Sequence, residues 1–314
     1  MKNIYTKISL DESNTFWRMK SLAVFTIFFA HLPYNGESIA LIYMFNYLGI
    51  VGVPVFLMLA GFFEYSSKSS WRSKLSGLFI PLLIWGTIGY LPSLIFGNMS
   101  VGESVAGYFK WIYGCGSWLY FVPVLFWCKL MSSSGRAELD IILMCVSLTS
   151  IILTALELIP YNDYFTAYTN PFNFMIYYQI GLYMRKLDIN YRSRHLVCIS
   201  AALMGVVILC WKTIPSYFSI WCVPFSICSF LLMYNFSRLV NIGESVGKSS
   251  YVIYLLHMVP MGIIARRIHF WWGTPLQILN VIIIFTIIAF TVLVLKLILG
   301  KLHQNKILRY LGYR

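Results

Sequence analysis

From Val281 to Leu295 the chain carries no charged residue, and the apolar run extends to Gln277 on one side and Leu299 on the other. A helix of about 20 such residues crosses the hydrocarbon layer of a bilayer. Blocks of this kind recur along the whole sequence and point to an all-α, polytopic membrane helix bundle. Composition agrees: only 11% of residues are charged, against about a quarter in soluble domains. A soluble fold of 314 residues would cover its wet surface poorly with so few. Aromatic side chains make up 18%, rich in Trp and Tyr, which suits a protein with many membrane interfaces.

About ten spans of membrane length are predicted, at 17–34, 41–63, 75–97, 111–131, 139–159, 171–187, 195–212, 216–236, 248–270 and 277–299. Gly114, Gly116 and Pro123 interrupt the fourth. The stretch from Ser21 to Leu32 has the length of a signal peptide, but no small-x-small cleavage site follows, so it reads as the first span. No gap is long enough for a soluble domain, and residues 1–314 read as one transmembrane domain.

The net charge of +13 tests this layout. With the N-terminus in the cytoplasm, all but four of the 24 Lys and Arg residues fall on the inner side, leaving Lys110, Lys212, Arg266 and Arg267 outside. That is the positive-inside distribution, and an odd number of spans would spoil it, so both termini are expected in the cytoplasm. The basic residues form no stripe and no nucleic-acid motif, so no nucleic-acid partner is expected. The seven cysteines make no C-x-x-C pair, and no His lies at metal-ligand spacing from them. They read as small buried hydrophobes, with neither a disulfide framework nor a metal site.

A charge at the centre of a membrane helix costs about 2.5–3.5 kcal/mol, so each one asks for a reason. Lys20 and His31 lie on the first span with ten residues between them. Eleven steps of about 100° return within about 20° of whole turns, so both side chains share one helix face, roughly 16 Å apart along the axis. A cation at the cytosolic rim and an imidazole deeper in suit an anionic cytosolic donor whose reactive end points into the membrane. The plainer reading makes Arg18 and Lys20 a snorkelling flank and His31 a hydrogen-bonded residue at the outer interface beside Pro33. On the ninth span Ser250, Tyr254 and His257 fall near one face, at spacings of four and three. His257 lies about 13 Å beyond Lys248, and a structural hydrogen bond is again the plainer role.

The second span, with Gly49, Gly52, Pro54 and Gly61, reads by default as a close-packing surface. Trp118-Leu119-Tyr120 fits an interfacial belt, and His195, His269 and His303 sit at loop edges or in the tail. No Walker loop, G-x-S-x-G elbow or dinucleotide fingerprint is present.

In order along the chain, these motifs resemble the acyltransferase-3 family of bacterial membrane acyltransferases, which modify lipopolysaccharide O-antigen, peptidoglycan, exopolysaccharide and related acceptors. The resemblance covers almost the whole chain. The family's basic residue, ten-residue gap and histidine are met by Lys20 and His31. Its Phe-Phe-x-x-Ser-Gly segment is approximated by Phe56-Leu57-Met58-Leu59-Ala60-Gly61, and its basic segment before the third span by Arg72, Lys74 and Pro81. Trp118-Leu119 and the Ser250 to His257 stretch match its fourth and ninth spans. Ala60 stands in place of the usual serine, and Gly77 where a second arginine is common.

What the resemblance implies is transfer of an acyl group, most commonly acetyl, from cytosolic acetyl-CoA to a hydroxyl of a cell-surface glycan or lipid-linked sugar. The place would be the bacterial inner membrane, and no metal is required. In that reading His31 is the general base or a transient acyl carrier, with His257 beside it as a second catalytic residue. Lys20, Arg72 and Lys74 would hold the donor's phosphates, while Tyr254 and Trp118 orient the substrate. Three other classes stay open at this point. A transporter or flippase for a lipid-linked sugar would place the histidines along a path, although the ten spans show no clear internal repeat. A glycan polymerase usually carries a large extracytoplasmic loop. A structural membrane subunit would tolerate loss of both histidines.

Overall fold

The structure is a computed structural model. It describes every residue except 1–9, 65–70, 97–100, 133–136, 161–166, 188–192, 212, 269, 303–304 and 314, and only the backbone of 71–74, 92–96, 101–102 and 137. The described residues are mainly helical, with no strand among them. In chain order they form α1 (Leu10–His31), α2 (Ile39–Glu64), α3 (Trp71–Phe96), α4 (Val101–Tyr113), α5 (Phe121–Met131), α6 (Ala137–Ala155), α7 (Met175–Lys186), α8 (Arg194–Cys210) and α9 (Cys222–Leu239). Three short helices follow, α10 (Glu244–Lys248), α11 (Ser250–Leu256) and α12 (Met258–Ala265), and then α13 (Gln277–Lys301) and α14 (Asn305–Tyr310).

Among the described residues α2, α6, α9 and α13 are long and apolar enough to cross a membrane, and α4 with α5 would make a fifth span, bent by 52°. The bend has a local cause. Gly114 and Gly116 take φ of +94° and +72°, a left-handed conformation that glycine adopts without steric cost. Ser117 Oγ then accepts from the Leu119 N–H at 3.3 Å and donates to Trp111 O at 2.9 Å, closing the turn. The fourth predicted span is therefore two helices, and it starts at Val101 instead of 111. The ninth, expected as one helix, is the run α10 to α12, with joints at Ser249 and His257. The sixth opens with a 3-10 turn at Pro171–Asn173.

Packing centres on α1 and α2. α10 and α9 lie against α1, α7 lies against the other side of α2, and α6 and α8 form outer layers on α7 and α9. Glycines set the closest approach. A Cβ added at Gly61 would fall 2.0 Å from the Tyr178 carbonyl oxygen, and one at Gly181 would fall 1.9 Å from that of Met58. The backbones of α2 and α7 touch there, as small residues permit in membranes. The packing reading of the second span holds.

Arg18 departs from the snorkelling reading. It is buried, with Nη2 at 2.5 Å and Nε at 3.0 Å from Glu244 Oε1, and so ties α1 to α10. Outward-facing apolar side chains such as Ile142, Leu203 and Phe290 lie on the surface that a bilayer would cover. The cysteines divide: Cys128, Cys222 and Cys228 are buried as predicted, whereas Cys145, Cys198 and Cys210 face outward on α6 and α8. All seven are free. An apolar thiol is at home on a lipid-facing surface, so burial was not required of it.

Candidate functional site

α1 ends at His31 because Pro33 lacks an N–H and disfavours helical backbone at the residue before it. The imidazole is half-buried there. His257 reaches the same place from the joint between α11 and α12 and is fully buried. The two rings lie 5.0 Å apart, inclined at 47°. His257 Nδ1 is 2.5 Å from the carbonyl oxygen of Tyr254. A carbonyl only accepts, so Nδ1 carries the hydrogen and Nε2 of the neutral ring is left as the acceptor. That Nε2 is buried and without a partner among the described residues.

Aromatic side chains wall this pair. Phe28 lies 5.6 Å and Trp118 6.3 Å from the His257 ring. Trp118 is fixed from two sides: its Nε1 donates to Leu255 O at 3.2 Å, and its carbonyl oxygen accepts from Tyr254 Oη. The glycine bend before Trp118 is what brings this indole inward, so the belt reading does not describe it.

Below the histidines is a cavity of about 490 Å³, within the size range of small-molecule sites. Lys20, Lys129 and Lys248 line it together with Glu64, and Phe121 and Tyr254 close its deep end. Lys20 Nζ stands 4.4 Å from the Trp17 ring and 5.1 Å from that of Phe63, two cation–π contacts that hold it at the wall. Lys129 Nζ pairs with Glu64 Oε2 at 2.6 Å. Neither histidine is part of the lining; Tyr254 lies between cavity and imidazoles. The site therefore has a roomy cationic lower part and an aromatic-walled upper part with paired imidazoles. The first suits a phosphorylated donor, and the second suits proton transfer at a buried hydroxyl.

The family model described as an acyltransferase domain, that of acyltransferase-3, matches residues 18–299, which run from Arg18 to Leu299 near the end of α13 and include both histidines. The chain belongs to the acyltransferase-3 family. It is a membrane acyltransferase. No curated protein and no solved structure matches the chain.

Within this acyltransferase-3 domain the structure brings His31, His257, Tyr254 and Trp118 together at one level and puts Lys20 in the cavity below. The side chains of Arg72 and Lys74 lie outside the described residues, although Gly77 and Leu78, further along α3, line the cavity. An added Cβ at Gly77 would meet nothing within 4 Å, so that position leaves the cavity open. Ala60 also lines it and offers no hydroxyl.

Sequence reasoning passed over Lys129, Glu64 and Lys248 as cavity residues, because each reads as a helix-end charge until α2, α5 and α10 are placed side by side. It also passed over Asn280. This amide is fully buried on α13 with neither Nδ2 nor Oδ1 partnered among the described residues. Such a group costs about 1–3 kcal/mol. The available signal was a polar pair, Gln277 and Asn280, at the head of a long apolar helix.

Proposed function

We propose that this chain transfers an acetyl group from cytosolic acetyl-CoA to a hydroxyl of a cell-surface polysaccharide, such as O-antigen or exopolysaccharide. It would work as a ten-span protein of the bacterial inner membrane with both termini in the cytoplasm. The observation that carries the reading is the vertical order on one face of α1: a cationic cavity at Lys20 and, about 16 Å further along the axis, two imidazoles in ring contact. Two packing facts support the shared side of the termini. Arg18 near the start of α1 pairs with Glu244 of α10, and the tail returns to the adjoining α11, where a Cβ added at Gly312 would fall 3.0 Å from the Tyr251 ring.

The donor's phosphates sit among Lys20, Lys129 and Lys248, with Arg72 and Lys74 adding charge from the start of α3. The thioester arm passes Tyr254 toward His31. His31 takes the proton of the acceptor hydroxyl as its oxygen attacks the thioester carbonyl. The carbon–sulfur bond breaks, the ester forms, and the proton leaves on the coenzyme A thiol. His257, locked by its bond to Tyr254 O, orients the reacting groups, with Trp118 as a wall. A general base of this kind contributes about 10²- to 10⁴-fold.

The test is mass spectrometry of surface polysaccharide from cells with the gene, without it, and with His31→Ala. One acetyl per repeat present only with the wild-type gene supports the reading. An inserted, stable His31→Ala protein that acetylates normally refutes the role of His31, and no acyl difference on any glycan refutes the acceptor.

A further inference from the structure

Two amides one turn apart at the head of α13, Gln277 and Asn280, are both fully buried, and they are used in opposite ways. Gln277 is satisfied. Its Oε1 accepts from the N–H groups of Asn35 at 3.3 Å and Gly273 at 3.0 Å, and its Nε2 donates to Pro33 O at 2.7 Å. It is a structural clamp on the chain just after His31. Asn280 has no such partners among the described residues.

The depth of Asn280 follows from the contacts on either side of it. Gln277 fixes α13 at the level of Pro33, and Phe285 lies 5.1 Å from Phe28, ring to ring. Between those levels Asn280 is about 4.5 Å inward of Gln277 and about 7.5 Å outward of Phe285. α1 runs in the opposite sense, so the residue of α1 at that depth is His31. Asn280 is on the buried face of α13 with Val281, Ile284 and Ile288, the face that packs on α1, α11 and α12. Phe28 also touches the His257 ring, whose Nε2 is likewise buried and without a partner among the described residues.

We propose that Asn280 binds the hydroxyl-bearing acceptor, with His257 Nε2, at a similar depth, as a second hydrogen-bond acceptor. A carboxamide presents a donor and an acceptor side by side, and a pair of adjacent hydroxyls on a sugar ring presents the complement of both. The indole of Trp118, half-buried beside the His257 ring, supplies the apolar wall on which a pyranose face lies. The inference rests on the acyl-transfer reading for the identity of the reaction, but the site itself follows from Asn280 and His257.

The experiment uses the full-length purified chain, methyl glycosides as the probe, and Asn280→Leu with Asn280→Ala as a second variant. Three quantities are read: the melting temperature, its shift on adding glycoside, and KM and kcat for transfer from acetyl-CoA. Wild type should be stabilised by at least one glycoside. Asn280→Leu should melt at the same temperature as wild type or higher, since hydrocarbon replaces an unpaired amide. It should nonetheless lose the glycoside shift and raise acceptor KM at least tenfold, with KM for acetyl-CoA unchanged. If the leucine variant does not fold, the alanine variant is read by the same criteria. No glycoside shift in wild type, or a variant with unchanged shift and acceptor KM, overturns the proposal. Glycoside stabilisation that Asn280 controls, in a protein that transfers no acetyl, upholds the site and refutes the transfer reading instead.

Discussion

The lower and upper parts of the site share one face of α1 and are built on opposite principles. Around Lys20 the bundle opens into about 490 Å³ with three lysines and one glutamate at its wall. Around His31 it closes, with Phe28, Trp118 and His257 in ring contact. Charge holds a polyanion without much geometric precision, because Coulomb attraction falls off slowly and needs no alignment. Moving a proton at a hydroxyl needs heavy atoms within about 3 Å and a fixed tautomer. Under the proposed function the difference makes binding and chemistry separable, and variants should fall into two kinetic classes.

The largest effect separates them outright. His31→Ala should lower kcat by about 10²- to 10⁴-fold, with KM for acetyl-CoA unchanged, in steady-state assays of the purified protein. A rise in donor KM of the same size would merge the two regions into one.

Lys20→Glu should act in the other class. Reversing one charge at about 6 Å from a phosphate changes the attraction by about 1.4 kcal/mol in a water-like medium, or roughly tenfold. Donor KM should rise by that factor at constant kcat, and the difference should shrink as salt is raised. A salt-independent effect would mean that Lys20 supports the fold through its contacts with Trp17 and Phe63 instead of holding the donor.

Much of this arrangement is legible in the sequence. The spacing of Lys20 and His31 placed them on one face, and helical periodicity placed Tyr254 and His257 together, because both depend only on the regular geometry of one helix. What joined the two histidines was not legible, since it depends on α10, and α11 after it, lying beside α1, an approach that Gly247 of α10 permits. A Cβ added at Gly247 would fall 1.8 Å from the Trp17 carbonyl oxygen, and nothing local in the sequence says which backbone a glycine will meet. The inward turn of Trp118 was hidden for a related reason. Gly114 and Gly116 were visible as interruptions, but the direction of a bend follows from which φ each glycine takes. Arg18 was misread because its partner, Glu244, is distant in sequence.

Tyr254 belongs to both regions, lining the cavity and donating its Oη to Trp118 O above it. Tyr254→Phe keeps the ring and removes the bond. A net hydrogen bond is worth about 0.5–1.5 kcal/mol, so kcat should fall by about fivefold as Trp118 loses one of its two ties. Donor KM should stay within about twofold, since a phenyl ring closes the cavity equally well. If donor KM moves and kcat does not, Tyr254 is part of the donor site alone.

Glu64→Gln gives the smallest effect and the sharpest sign. Glu64 pairs with Lys129 on the cavity wall and cancels one of its positive charges. If the cavity serves a polyanion, removing that carboxylate at about 8 Å from the ligand improves binding by about 0.5 kcal/mol, or roughly twofold. Donor KM should therefore fall slightly. The competing view treats the pair as a staple between α2 and α5. Half-buried lysine left without its carboxylate then loosens the wall, and both the melting temperature and donor affinity drop. The two views predict opposite directions for the same measured KM, so even a twofold change decides between them. A tighter donor with a modestly less stable protein would show that the inner region keeps Glu64 for packing at some expense to binding.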